Sequence, residues 1–578
     1  MLRFLVRLFA TIGLLVVIAL VAGVTLAVRH QPSLPDAVVL DLDLTRSLSE
    51  GGSDRLGGLL GHEASFREVL DALERGRGDP RVKGVLARLG GDSVGFAQTQ
   101  ELRAAVERFR ASGRFAVAFS ESYGEGGAGN RAYLLASAFD EVWLQPLGMV
   151  GLTGLSAEVP LARAALDMLG VQPQLMQREE YKSFAETFTR SELTPANREM
   201  LQGLVGDLTE QLVDGVAKSR RLPPATVRAA LDRAPLLEGE ALELKLIDRI
   251  GYADQARDAA VARAGSGAEA LEVADYLNAA GGPHDSGPTV ALIHAVGTIT
   301  GGKSGRPALG EVTAGSETIV QAIEEAVDDP DVRAILFRID SGGGSVSASE
   351  AIYRALAKAR ERGKPVIASM GDAAASGGYW IALAADRIVA SPATITGSIG
   401  VVAGKMSFAG LSEKVGVQWG RVAAARNAGM WSPMHPFSPS EEERMTAIID
   451  ATYASFLKRV ADGRKLTAEQ ARAAAKGRVW SGQQARELGL IDAFGGQEEA
   501  LTLARTAAGL AADAEVTLTP YPAPKSMTEE LLGLLSGKGE LVGALAAVAE
   551  LRPLAASLRP LLGGEGVRAA MPALDLGR

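Results

Sequence analysis

One serine, Ser376, stands in the stretch GDAAASGGYW (371–380) between three alanines and two glycines, ahead of an apolar, helix-like segment. Small neighbours give a hydroxyl access to a carbonyl, but attack also needs a base for the proton and donors for the oxyanion that forms. A helix beginning near Gly377 would aim unpaired N–H groups and the positive end of its dipole at that oxyanion. The turn Gly342-Gly343-Gly344 in IDSGGGS offers a second backbone donor. Taken alone, the triplet reads as a tight turn and the serine as a packing or capping residue.

The base is the harder part. Of five histidines, His30 adjoins an apolar N-terminal run, His62 lies in a loop-like stretch, His284 in a linker, His294 in a strand-like run and His435 in a proline-rich loop. Each reads as structural or superficial. A lysine can serve instead, in a Ser-Lys variant of the triad, if desolvation keeps its amine neutral. Lys182, in QREEYKSFAETFTR, is singled out by comparing the two halves of the chain.

The chain is an internal duplication. GDPRVKGVLARL (78–89) aligns with DDPDVRAILFRI (328–339) at an offset of 250, YLLASAFDEVWLQPLGMVGLTG (133–154) with YWIALAADRIVASPATITGSIG (379–400) at 246, and LKLID (244–248) with LGLID (488–492) at 244. At these offsets Asn130 stands opposite Ser376, Asp92-Ser93-Val94 opposite the glycine triplet, and Ala428 opposite Lys182. One half holds a candidate nucleophile without a base; the other holds a candidate base without a nucleophile.

The elements that must position these residues alternate strand and helix. Each half opens on a β-run, AVVLDLDLT (37–45) or TVALIHAVG (289–297). The second continues with the amphipathic SETIVQAIEEAVDD, the buried-strand pattern VRAILFRID, a glycine turn, the helical SASEAIYRALAKARERG and the strand KPVIASM. Such alternation predicts an α/β fold with βαβ crossovers and a mostly parallel sheet. Ligands of such sheets sit at the carboxyl ends of the strands, where both IDSGGGS and ASMGDAAASGG fall.

Composition narrows the function classes. The 578 residues suggest two or three domains, and a net charge of −9 gives no basic footprint for nucleic acid. There is no cysteine, hence no disulfide and no thiol chemistry. No cluster of metal-ligand spacing and no phosphate-loop signature is present, so neither metal nor cofactor is expected. Near the start, Arg3 and Arg7 precede an uncharged apolar run from Leu8 to Val28, long enough for a bilayer core of about 30 Å. It reads as an uncleaved anchor, with a cleaved signal peptide as the alternative. The flanking arginines place the body on the outer side of the membrane.

With YKS at 181–183, SGGYW at 376–380 and TGSIG at 396–400, the chain resembles signal peptide peptidase A in its long, tandem-repeat form, from the anchor to about residue 510. That resemblance implies a Ser-Lys endopeptidase in which Lys182 activates Ser376 and Ser398 helps hold the amine. It implies tandem crotonase-like (Clp-protease-like) domains, a dome- or bowl-shaped homotetramer on the periplasmic face of the bacterial inner membrane, and cleaved signal peptides and other unfolded apolar peptides as substrates. The domains expected are an anchor (1–30), a first repeat (31–270), a second repeat (287–512) and a helical tail (513–578). The family's glycine turn reads Ser-Pro-Gly-Gly, whereas this chain has Ser341-Gly342-Gly343-Gly344, and the oxyanion hole is assigned to Gly343 and Gly377. Two other readings stay open on the residues: an acyl-CoA enzyme of crotonase type, and a catalytically inactive scaffold.

Overall fold

The computed structural model describes residues 34–51, 64–305, 312–523 and 568–570; the anchor expected in 1–30 lies outside them. Among the described residues no helix is long and apolar enough to cross a membrane.

Each half is built on its own mostly parallel sheet. The first sheet runs β8 (Arg249–Ile250), β4 (Glu141–Leu144), β3 (Phe115–Ser120), β2 (Val82–Leu89), β1 (Ala37–Leu44), β9 (Ala268–Glu272), and every pairing is parallel. The second runs β19 (Val479–Ser481), β17 (Ile395–Gly397), β15 (Val366–Ala375), β13 (Val332–Ser341), β10 (Thr289–Val296), β21 (Thr517–Tyr521). Beside β15 lies β16 (Arg387–Ala390), followed by β20 (Ala493–Phe494). A short antiparallel pair, β5 (Met149–Val150) and β7 (Leu236–Leu237), flanks the first half.

The duplication is carried into three dimensions. Helices 66–78 and 316–328 match, as do 96–111 and 346–361, and 195–220 and 439–464. Even single hydrogen bonds repeat: Tyr133 donates to the Leu246 carbonyl at 2.6 Å, and Tyr379 to the Leu490 carbonyl at 2.8 Å. Helix starts follow local rules. Ser65 and Glu68 form a capping box at the helix 66–78, and Ser438 with Glu441 does so at 439–464.

A third sheet joins the halves. Its order is β12 (Thr313–Gly315), β11 (Thr298–Thr300), β14 (Gly343–Ser345), β22 (Arg568–Ala570), β18 (Val401–Ser407), β6 (Gln172–Arg178). Here β6 of the first half pairs antiparallel with β18 of the second, Arg178 opposite Val401. The counterpart of β6, residues 418–424, forms no strand and leaves Trp419 and Val422 exposed.

Buried charge also spans the halves. Arg338 on β13 is fully buried, with its guanidinium on Glu50 at 2.6 Å and Glu101 at 2.7 Å, both from the first half. Asp372 accepts from the N–H groups of Ala97 and Gln98 at the start of the helix 96–111, at 2.8 and 3.2 Å. Such groups are tolerated inside only because partners replace water.

The ends of the repeats differ from the sequence-based expectation. The stretch read as a linker after residue 270 carries the end of β9 and a helix, Val273–Ala280, held by buried Val273 and Tyr276. Part of the expected helical tail is strand: β21 pairs with β10 as the edge of the second sheet, where Pro520 is tolerated. The remainder of the tail, apart from β22, lies outside the described residues.

Candidate active site

The register of β6 against β18 decides where the lysine goes. Arg178 ends β6 opposite the first residue of β18, so the turn after β6, carrying Lys182, meets the turn before β18, carrying Ser398. Ser376 reaches the same point from β15. Its N–H donates to the Gly397 carbonyl at 2.8 Å, and Ala375 is in register with Gly397. Thr396 donates to the Ala374 carbonyl at 2.7 Å and Thr394 to that of Gly371 at 2.8 Å, fixing β17 against β15.

Lys182, Ser376 and Ser398 are all fully buried. Lys182 Nζ lies 2.8 Å from Ser376 Oγ, 2.9 Å from Ser398 Oγ and 3.0 Å from the Ser398 carbonyl oxygen. A neutral amine has two N–H donors and one lone pair. The two sites on Ser398 take the donors, which leaves the lone pair for the Ser376 hydroxyl proton. Burial holds the Lys182 amine well below the usual lysine range, and no carboxylate offsets it.

Ser376 has φ 55°, unusual for a residue other than glycine, and it precedes the helix Gly377–Ala382. A Cβ on Gly377 would lie 2.7 Å from Ser349 Oγ and 3.1 Å from Gly344 N, so the helix start and the glycine turn are pressed together. Gly343 and Gly344 have φ 104° and 156°. At Gly344 a Cβ would meet the Ile299 carbonyl oxygen at 2.1 Å, which restricts that position to glycine. The Gly343 N–H donates to Ser341 Oγ at 3.1 Å.

The lysine is held by a segment that sequence reasoning missed. The Lys476 and Arg478 carbonyls accept from Tyr181 N at 3.1 Å and Ser398 N at 2.7 Å, and Gly477 N donates to the Ile399 carbonyl at 2.9 Å. Three ion pairs fasten this segment and its approach to the first half: Arg472–Glu179 at 3.1 Å, Lys476–Glu180 at 3.1 Å and Arg478–Glu199 at 2.7 Å. No local motif marks it; its first-half partners lie almost 300 residues away.

The equivalent place in the first half is filled by its own side chains. Asp92, opposite Gly342, accepts from the N–H groups of Arg131 and Ala132 at 2.8 and 3.0 Å, taking the helix-start donors an oxyanion would need. Asn130, opposite Ser376, bonds both the N–H and the carbonyl of Gly154 at 3.0 and 2.8 Å. Among the described residues, histidine stays away from the site. His284 faces Glu498 at 3.5 Å, His435 faces the Pro436 carbonyl at 2.8 Å, and burial pushes His294 down to about 4. No cluster able to hold a metal ion occurs among the described residues.

A serine at the carboxyl end of a parallel strand, a buried lysine brought against it from the end of β6, and a helix start and a glycine turn beside them fit a serine peptidase. The chain belongs to peptidase family S49, which it matches over residues 114–266 and again over 358–511, one match in each half. It is 34% identical over 484 residues to Protease 4 of Salmonella typhi, covering 81% of this chain and 75% of that protein. Protease 4 of Haemophilus influenzae is 31% identical over 454 residues, covering 76% of this chain and 72% of that protein. The chloroplastic serine protease SPPA of Arabidopsis thaliana is 29% identical over 546 residues, covering 93% and 78%. The chain is thus a long, tandem-repeat serine peptidase of this family, and an acyl-CoA enzyme is set aside.

Proposed function

We propose that the protein is a Ser-Lys endopeptidase in which Lys182 of the first half activates Ser376 of the second. The observation that carries this is the 2.8 Å approach of a counterion-free, buried amine to the serine hydroxyl. Lys182 Nζ takes the proton as Ser376 Oγ attacks the peptide carbonyl carbon. The oxyanion is held by the Gly377 N–H and by that of Gly343, whose 3.1 Å bond to neutral Ser341 Oγ a charged acceptor would displace. Lys182 then returns the proton to the leaving amine, releasing it and leaving an acyl ester on Ser376. Water, deprotonated by the same amine, attacks the ester; the acid leaves and Ser376 regains its proton. Ser398 holds the amine in place throughout.

The substrates are extended, apolar peptides, among them cleaved signal peptides. That reading draws on the resemblance to signal peptide peptidase A. The run Leu8–Val28 anchors the protein in the inner membrane with its body outside, a reading the sequence supports, and the working form is a homotetramer, a reading that family resemblance alone supports. The test is hydrolysis of an apolar, signal-peptide-like substrate by wild type, Ser376→Ala and Lys182→Ala. Turnover by wild type with loss in both variants is expected; retained turnover in Lys182→Ala would overturn the dyad.

A further inference from the structure

The segment that seats Lys182 carries one residue whose contacts reach both supports of the amine. The Arg478 carbonyl accepts from Ser398 N at 2.7 Å, so its main chain sets the residue whose hydroxyl and carbonyl hold Nζ. Its side chain runs to Tyr181, the residue before Lys182. The guanidinium carbon lies 4.9 Å from the centre of the Tyr181 ring and 4.6 Å from that of Trp480, a flat cation laid against two aromatic rings. Glu199, on the helix 195–220, closes the group: one carboxylate oxygen accepts from Arg478 at 2.7 Å and the other from the Tyr181 hydroxyl at 3.2 Å. Those hydrogen bonds hold the Glu199 carboxyl below the usual carboxylate range, so it stays charged at neutral pH.

The first half builds the same strand joint without this group. β5 and β7 pair there as β17 and β19 do in the second half, with Val150 opposite Leu236 and Thr396 opposite Trp480. At the offset of 244, Ala234 stands at the place of Arg478 and Leu236 at that of Trp480. The joint therefore forms without an arginine, and the arginine is present in the half where a lysine arrives from β6.

We infer that Arg478 is a positioning residue for the dyad, tying Tyr181 to Ser398 so that Lys182 Nζ stays on Ser376 Oγ. The inference rests on the reading of Lys182 as base. Tyr181 and Lys182 are consecutive, so a tilt at the tyrosine passes through one peptide unit to the base. The amine has to keep three oxygens at 2.8, 2.9 and 3.0 Å, and a misplacement of about 1 Å costs on the order of 100-fold in rate. Lysine at position 478 would keep the charge but neither the planar face nor the fixed fork.

The test measures kcat, KM and the pH profile of kcat on an apolar, signal-peptide-like substrate, with denaturant unfolding alongside. The proteins are wild type, Arg478→Met, Arg478→Lys, Tyr181→Leu, the double variant Arg478→Met/Tyr181→Leu, and Lys182→Ala. Arg478→Met is expected to lower kcat on the order of tenfold, with KM within about twofold, and to move the rising limb to higher pH as the loosened amine gains water. Arg478→Lys should follow it, and supplies the same readout if the methionine variant does not fold. The double variant should lose no more than the worse single variant, since both residues act through one contact. Wild-type kcat and pH profile in folded Arg478→Met or Arg478→Lys, or losses that multiply in the double variant, would overturn the inference while leaving the dyad in place. Turnover retained in Lys182→Ala would sink the reading of Lys182 as base, and this inference with it.

Discussion

A single methyl group at Gly477 tests how closely the rate depends on the seating of Lys182. Gly477 has φ 75°, and a Cβ there would lie 2.6 Å from both Lys182 N and Lys182 Cβ and 2.8 Å from Lys182 Cα. Non-bonded carbons rest about 3.5–4.0 Å apart, so in Gly477→Ala the Lys182 backbone must retreat by about 1 Å. A misplacement of about 1 Å costs on the order of 100-fold in rate. The left-handed backbone adds about 1–2 kcal/mol of instability. The assay pairs kcat and KM on an extended peptide with denaturant unfolding. The expected result is a large fall in kcat with KM nearly unchanged, because the base and not the glycine turn is displaced. The rising limb of the pH profile should also move to higher pH, as the loosened amine gains water. A folded Gly477→Ala enzyme with wild-type kcat would refute the reasoning.

The remaining expectations concern the amine, its neighbour and the charges between the halves. Only neutral Lys182 can act as base, so kcat/KM should rise with pH through its depressed pKa and then level off. Stability follows the same group: a folded pKa below the unfolded value near 10.4 means stability present at high pH is lost as pH falls toward the folded pKa. Lys182→Met should remove that slope, up to about 1.4 kcal/mol per pH unit, as well as the activity. Ser398→Ala removes one of the two acceptors of the Nζ hydrogens and leaves the main-chain carbonyl of residue 398 at 3.0 Å beside the Ser376 hydroxyl; losing one hydrogen bond of about 1 kcal/mol should lower kcat on the order of fivefold, with little change in KM. Arg338→Met leaves Glu50 and Glu101 buried without their cation and should cost about 3–5 kcal/mol on chemical unfolding. Adding Glu50→Gln and Glu101→Gln should recover part of that loss.

Much of this site is legible in sequence because a duplicated chain carries its own control. Asn130 opposite Ser376 and Ala428 opposite Lys182 show where each half has lost a partner, and strand–helix alternation places both turns at the carboxyl ends of one sheet. What escapes is set by contacts between distant segments. Gly477 is one glycine among 67 until Lys182 is packed on it. Arg338 lies in an apolar strand pattern whose buried carboxylates come from the other half. Propensity also misleads at the ends of the repeats. Thr517–Tyr521 becomes strand because the edge of β10 is open to it, whereas 418–424 pairs with no edge among the described residues.

The most direct measurement is mass spectrometry of the protein after prolonged reaction with a fluorophosphonate, beside Ser376→Ala and Lys182→Ala. The dyad requires a single adduct on Ser376 in wild type and none in either variant. An adduct on another serine, or full labelling of Ser376 without Lys182, would contradict the claim that the first half supplies the base for the second.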